Sequence, residues 1–250
     1  MADSPQDASG EGKAIEAVFF DLDGTLMDTA SDFITVVNQM LGEDNQPLMP
    51  PDDIRSHVSA GSRKLVELAY GMDPGHPDVE TQRQRLLDYY DRHINQPDRP
   101  EPARLYPGIL ELLAILDEKQ IAWGIVTNKQ EIYARPLIDQ IGLLQRSKAI
   151  ICPDHVKTPK PDPQALFLAC EQAEVSPDAC VYIGDHLRDI EAGKNAGMAT
   201  IAALYGYIAA NDNPEDWQAD HNIQSASEIH PWLGLLNWRM PRSLTENGHF

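Results

Sequence analysis

The feature that most constrains this chain is a repeated pairing of short runs, apolar on both faces, with longer amphipathic stretches. Ala17 to Phe20, Ile121 to Val126, Ala149 to Cys152, Val181 to Ile183 and Ala199 to Leu204 are the strand candidates. A run apolar on both faces suits a strand covered on both sides, as in a parallel sheet. Between these runs, Gly108 to Lys119, Ile132 to Ile141, Pro163 to Ala173 and Leu187 to Ala196 carry apolar residues at helical spacing, each near a Gly or Pro boundary. The alternation predicts an α/β chain built on a Rossmann-like, doubly wound parallel sheet.

The rhythm breaks once. Residues 30–104 offer helical patterns (Asp32 to Leu41, Ser62 to Tyr70, Val79 to Asn95) and no strand-like run. Such an insertion reads as a helical cap domain over the strand ends, where open α/β sheets bind their ligands. Its exit, Gln96 to Pro102, is too rich in proline for a helix and suits a hinge, with a second hinge expected near Asp28 to Ser31. The core domain is then expected over 14–29 and 105–236, with unpatterned tails at 1–13 and 237–250.

Composition narrows the function classes. An apolar fraction of 42% supports a sizeable core, and 20 Lys+Arg against 39 Asp+Glu give a net charge of −19. That charge repels nucleic-acid phosphates and anionic lipid, so neither partner is expected. Cys152, Cys170 and Cys180 lack metal-site spacing and cannot all pair, so they read as core residues in a reducing compartment. No apolar run approaches a membrane span, and the N-terminus lacks the pattern of a signal peptide; a cytoplasmic location is expected. Monomer and homodimer both remain open.

The chemistry concentrates where strands end. Val18-Phe19-Phe20 runs into Asp21-Leu22-Asp23-Gly24-Thr25, which sets two carboxylates side by side at the mouth of the sheet. One can attack while the other manages protons. Thr127-Asn128 follows the second strand candidate with a hydroxyl and an amide suited to phosphoryl oxygens. Lys160 is a cation in a loop stiffened by Pro159, Pro161 and Pro163. Gly184-Asp185-His186-Leu187-Arg188-Asp189 brings two further acids to a strand-to-helix turn, where Asp185 could hold a divalent cation.

Each segment alone has an ordinary reading. Asp-Gly is common turn chemistry, Lys160 could be solvated, and Asp185 could simply cap a helix. In order, each just beyond its own strand, they converge on one edge of a parallel sheet.

This ordered set resembles the four motifs of the haloacid dehalogenase superfamily, over about Ala14 to Ile229. The resemblance implies that Asp21 is the nucleophile of an aspartyl-phosphate mechanism and Asp23 its general acid/base. Thr127 and the Asn128 backbone amide would hold the transferring phosphate. Lys160 would neutralise charge on Asp21 and the phosphate. It further implies Mg2+ bound by the Asp21 carboxylate, the Asp23 carbonyl and Asp185, with Asp189 orienting those ligands rather than joining them. His186 is a departure, since many relatives carry a small or acidic residue there; it either alters the surroundings of the metal ligands or only faces the cap.

Asp23 argues against the dehalogenase branch, which lacks an acid there, and for phosphate esters. The motif spacing and cap resemble the phosphoglycolate phosphatase branch. Trp123 to Lys129, Ile151 to Lys157, Asp189 to Gly193 and Tyr205 to Ile208 resemble bacterial N-acetylmuramic acid 6-phosphate phosphatases, which serve peptidoglycan recycling. The resemblance implies a small-molecule phosphomonoester substrate, with phosphoglycolate as the alternative. A noncatalytic binding protein on the same fold would be marked by loss of Asp21, Asp23, Lys160 or Asp185, and none is lost.

In the insertion, Ser59-Ala60-Gly61-Ser62-Arg63-Lys64 gives a flexible turn, Ser62 as a candidate helix cap, and two cations for a substrate carboxylate; an ordinary capped helix with solvated Arg63 and Lys64 is the alternative. Tyr89, Tyr90 and Trp217 could stack on a sugar or serve packing, and Trp232 and Trp238 could anchor the C-terminal end.

Overall fold

The structure, a computed structural model, describes residues 14–99 and 101–235. The tails expected at 1–13 and 237–250, together with Trp238, lie outside the described residues, as does the side chain of Trp232. The elements run β1 (Ala17–Phe20), β2 (Met27–Asp28), α1 (Ala30–Glu43), α2 (Pro51–Arg55), α3 (Ser62–Tyr70), α4 (Val79–Ile94), β3 (Arg104–Leu105) and α5 (Ile109–Glu118). There follow β4 (Ala122–Val126), α6 (Glu131–Gln140), β5 (Ala149–Ile151), α7 (Gln164–Ala173), β6 (Cys180–Gly184), α8 (Leu187–Ala196), β7 (Ala199–Ala203), β8 (His221–Ile223) and α9 (Ile229–Leu235).

Six strands form one sheet in the order β5-β4-β1-β6-β7-β8, and every pairing in it is parallel. Alternation along β1 explains why both its faces are apolar. Val18 and Phe20 enter a large apolar cluster with Leu112, Leu113 and Leu137, while Ala17 and Phe19 enter a second one with Leu166 and Ala169 of α7. The chain starts at the central strand, winds outward through β4 and β5, and returns to wind the other way through β6, β7 and β8. The ends of β4, β1 and β6 therefore lie side by side where the winding reverses, the place such sheets reserve for ligands.

Helices α1 to α4 occupy the insertion. Phe33, Val36, Val37, Met40 and Leu41 of α1 pack with Leu86, Leu87, Tyr90 and Ile94 of α4 in the same apolar cluster that covers one face of the sheet. The connections into and out of the insertion are joined to each other: β2 and β3 pair antiparallel, and Ser31 Oγ donates to the Glu101 carbonyl. Buried Arg99 reinforces this exit, with Nε 3.1 Å from Asp32 Oδ1 and Nη1 bonded to the Ile94 carbonyl and to Gln140 Oε1 of α6. His93 Nε2 meets the same Asp32 oxygen at 3.0 Å.

Several elements differ from the sequence reading. Arg104, placed in the strand-free insertion, lies in β3, because two residues suffice for a rung and carry no periodicity. Strand β8 has only Ile223 as an apolar residue, and an edge strand held on one side by β7 needs few. Helix α2 is a single turn started by Pro51, too short to show a helical pattern. Ser62 does not cap α3: Gly61 takes that position with φ +91°, and Ser62 Oγ instead accepts a bond from Arg83 Nε. All three cysteines are buried and free, with Cys170 and Cys180 sulfurs 3.8 Å apart. No described helix is long and apolar enough to cross a membrane.

Candidate active site

The strand-end residues meet in a cavity of about 260 Å³ between the sheet and the insertion. Asp21, Asp23, Thr127 and Asn128 line it from the sheet, and Phe33, Ser59, Arg63, Arg83 and Tyr90 line it from the insertion. Asp21 and Thr127 are there because their strands stop, Asp21 directly following β1 and Thr127 following β4; Asp185, which follows β6, is buried and does not line the cavity.

Lys160 comes from the long loop after β5 and reaches under the site. Its ammonium donates to the Val126 carbonyl (2.9 Å), the Tyr182 hydroxyl (2.6 Å) and Asp189 Oδ1 (2.7 Å), and lies 3.0 Å from Asp21 Oδ1 outside hydrogen-bond geometry. The Asn128 side chain fixes that loop by accepting from the Lys160 backbone N–H and donating to its carbonyl, at 3.1 and 3.0 Å. Lys160 is thus a fully engaged, buried cation rather than a solvated one. Asn128 has a structural task that its motif position alone did not reveal.

Three buried carboxylates, Asp21, Asp185 and Asp189, can each present an oxygen so that all three lie within 4.8 Å of one another. Asp185 Oδ2 accepts from Ser59 Oγ at 2.8 Å and from the Tyr207 backbone N–H at 2.7 Å. Its Oδ1 is buried with no hydrogen-bond partner among the described residues, and so is Asp189 Oδ2. Burial pushes the Asp185 carboxyl well above the usual carboxylate range, with the charges of Asp21 and Asp189 adding to the push. Burial also raises Asp21, against the pull of Lys160 and with a further push from Asp189. Unpartnered buried carboxylate oxygens are costly, and a hard divalent cation with oxygen ligands relieves that cost. The donor set therefore fits Mg2+.

Glycines leave room for this cluster. A Cβ on Gly24, whose φ is +81°, would stand 1.9 Å from Asp185 Oδ2. A Cβ on Gly206 would stand 2.3 Å from the Asp185 Cβ.

Asp23 sits apart from that cluster, held by Thr29 Oγ1 at 2.5 Å and by Lys129 Nζ at 2.9 and 3.1 Å from its two oxygens. Lys129 is a residue that the motif reading missed. Its ammonium lies 4.9 Å from the Phe33 ring centroid and 4.6 Å from that of Tyr90, two stacked aromatics from α1 and α4. Burial lowers the Lys129 pKa, but Asp23 and Tyr90 more than reverse this, so it remains a cation. The available signal was a lysine two places beyond Thr127 at a strand end.

The other candidates divide. Arg63 lines the cavity, but its guanidinium is 2.6 Å from Glu80, which also holds Arg83 at 2.7 Å. Lys64 does not line it; it lies 3.9 Å from Glu67 and borders a different surface depression. The reason is helical: neighbours on α3 point about 100° apart, and the step from Arg63 carries Lys64 off the cavity-lining side. Tyr90 lines the cavity, whereas Tyr89 is outside it, bonded to Glu43. Trp217 is buried and stacks on His186. His186, not Asp185, caps α8, through Nδ1 accepting from the Arg188 N–H at 3.2 Å. Burial and the charge of Arg188 pull His186 down to about 4, so it is neutral near pH 7.

Residues 18–203 match the family model of haloacid dehalogenase-like hydrolases. The chain belongs to the haloacid dehalogenase-like hydrolase family. Among members of this family, it is 43% identical to the N-acetylmuramic acid 6-phosphate phosphatase of Pseudomonas aeruginosa over 215 residues, covering 86% of this chain and 93% of that one. The phosphoglycolate phosphatase of Xanthomonas campestris is 36% identical, with 85% and 94% covered. The crystal structure of a predicted phosphoglycolate phosphatase from Haemophilus somnus shares the fold with a TM-score of 0.74 at 22% identity, covering 87% of this chain and 97% of its own.

Proposed function

We propose that the protein is a magnesium-dependent phosphomonoesterase acting through an aspartyl-phosphate, with N-acetylmuramic acid 6-phosphate as its substrate. The observation that carries the reading is the pairing of Asp21, which lines the cavity between sheet and insertion, with Lys160 beside two buried carboxylate oxygens that have no hydrogen-bond partner among the described residues. Asp21 attacks phosphorus in line. Its new P–O bond forms as the ester P–O bond breaks, and Asp23 passes a proton to the departing alkoxide. Asp23 then takes a proton from the water that attacks the aspartyl-phosphate, regenerating Asp21 and releasing phosphate. The Thr127 hydroxyl and the Asn128 backbone amide hold the phosphoryl oxygens, and Lys160 draws negative charge away from both reactants. Asp21, the Asp23 carbonyl and Asp185, with Asp189 beside them, would hold Mg2+, which when bound would supply the charge that lets an anionic nucleophile approach an anionic ester.

Residues 30–104 act as the cap, and the substrate's second anionic end is read there. Arg63, Arg83, Lys129 and Arg188 bring four cations to the cavity against the carboxylates of Asp21 and Asp23, with Glu80 pairing Arg63 and Arg83. A chain with net charge −19 thus surrounds this one cavity with basic groups, which suits a phosphate ester that carries a carboxylate as well. Phe33, Leu87, Tyr90 and Tyr133 give it an apolar, aromatic wall that matches a sugar ring and an N-acetyl group. Phosphoglycolate carries the two anionic groups but nothing for that wall.

Phosphate release should be measured with Mg2+ and with EDTA on N-acetylmuramic acid 6-phosphate, N-acetylglucosamine 6-phosphate and phosphoglycolate. We expect Mg2+-dependent turnover, with kcat/KM for the muramic acid ester at least tenfold above the others, about 1.4 kcal/mol in transition-state binding. A phosphoglycolate preference would refute the substrate assignment, and no release from any ester would refute the enzymatic one.

A further inference from the structure

Ser59 lies in the turn between α2 and α3, inside the helical insertion, yet it is 3% exposed and touches the sheet's acid cluster. Its hydroxyl donates to Asp185 Oδ2 at 2.8 Å and lies 3.4 Å from the backbone carbonyl oxygen of Asp23. Its own carbonyl accepts a bond from the Arg188 guanidinium, one residue before Asp189 on α8. A single residue of the insertion therefore reaches two groups assigned above to the cation and the helix that bears a third acid. Nothing in that assignment requires a contribution from the insertion.

The geometry at Asp185 gives this contact a direction. A carboxylate is planar, so two donors on one oxygen, Ser59 Oγ and the Tyr207 N–H, fix where the other oxygen points. That other oxygen, Oδ1, is buried and without a hydrogen-bond partner among the described residues. Ser59 thus leaves free the oxygen that a cation would use. We propose that Ser59 is a positioning residue through which the placement of the insertion sets the divalent-cation affinity of Asp185. By thermodynamic reciprocity, the cation in turn holds the insertion against the sheet. The proposal rests on the reading of Asp185 as a cation ligand.

Partners that orient a metal ligand are commonly worth 10–100-fold in metal affinity. The Tyr207 N–H remains on Asp185 when the Ser59 hydroxyl is removed, so the effect belongs at the lower end, about tenfold. The test uses the full chain without substrate: Mg2+ and Mn2+ binding by titration calorimetry for wild type, Ser59→Ala and Asp185→Asn. Limited proteolysis of the linker at 95–103 is run in parallel, with and without Mg2+. Ser59→Ala should keep the wild-type circular dichroism, bind both cations about tenfold more weakly, and lose most of the Mg2+-dependent protection of the linker. Ser59→Thr, which retains the hydroxyl, should restore both.

Unchanged or tighter cation binding by Ser59→Ala would overturn the proposal, because a competing hydroxyl gives the opposite sign. Equal protection of the linker in wild type and Ser59→Ala would overturn the coupling. If Asp185→Asn bound cations like wild type, the ligand assignment itself would fail, an outcome distinct from either.

Discussion

Asp185→Asn is expected to stabilise the cation-free protein while abolishing its response to Mg2+. Asp185 has ligand oxygens within 4.8 Å of those of Asp21 and Asp189, and two unit charges at that outer separation repel by about 3.5 kcal/mol at an effective dielectric of 20. Lys160 compensates Asp21 and Asp189, at 3.0 and 2.7 Å, and leaves Asp185 to bear most of the unrelieved repulsion and burial. The sign follows from the direction of its shift. A carboxyl raised in the fold contributes stability below the unfolded pKa, and that contribution is lost as pH rises through the folded one. At pH 7.5 in EDTA the wild type bears this cost and the asparagine variant does not. Asparagine can still accept from Ser59 and Tyr207 but leaves its amide group unpartnered, so the net gain should be about 1–3 kcal/mol. For a chain of this size that is roughly 3–10 °C in Tm. Thermal melts of both proteins at pH 7.5 and pH 4, each in EDTA and in excess Mg2+, provide the assay. The gain should shrink toward pH 4. Mg2+ should raise the Tm of the wild type alone, through about 2.7 kcal/mol of added stability at one hundred times its Kd. A variant less stable than wild type in EDTA at pH 7.5, or one that Mg2+ stabilises equally, would refute the reasoning.

Asp21→Asn should lower kcat by roughly 10⁴-fold or more without loss of cooperative folding, since the side chain keeps its size and loses only its charge and nucleophilicity; full activity in phosphate-release assays would exclude Asp21 as the nucleophile. Lys129→Met leaves Asp23 with Thr29 alone, and should cost about 1–3 kcal/mol in stability, less than a fully buried pair because Asp23 lines an open cavity, together with about 100-fold in kcat/KM; a variant with wild-type kinetics would show that Lys129 only fills space. His186 is held down to about 4, so its stabilising neutral form is fully present above pH 6.5 and its contribution is lost as pH falls toward 4. His186→Asn keeps a capping oxygen, so in EDTA melts between pH 7.5 and 4.5 it should lose roughly 2–3 kcal/mol less than wild type; parallel losses would refute the burial argument.

The sheet was legible because its causes are local. A strand buried on both faces must be apolar throughout, and Ala17 to Phe20 and Val181 to Ile183 display that directly. The helices α5 and α8 carry their buried residues at helical spacing and end near a Gly or a turn. Elements without such a burden were not visible: β8 with one apolar residue, α2 with a single turn, and β2 and β3 with two residues each. Their formation depends on a neighbour already in place.

The site divides along the same line. Asp21, Thr127, Lys160 and Asp185 could be picked out because each follows a strand candidate, and a chain-order pattern survives in one dimension. Lys129, Ser59, Arg83 and Arg188 could not be given roles that way. Ser59 meets Asp185 across 126 positions, and Lys129 meets Asp23 across 106. Arg63 and Lys64 looked equivalent in the sequence, and the turn of α3 separated them. By itself, then, the sequence determined the layered parallel fold and which acids stand at its strand ends, because burial and strand termination act on neighbouring residues. Only the tertiary structure decided which cation faces which acid, which carboxylate oxygen is left free, and which part of the insertion touches it, because those depend on distances between segments that the chain order leaves open.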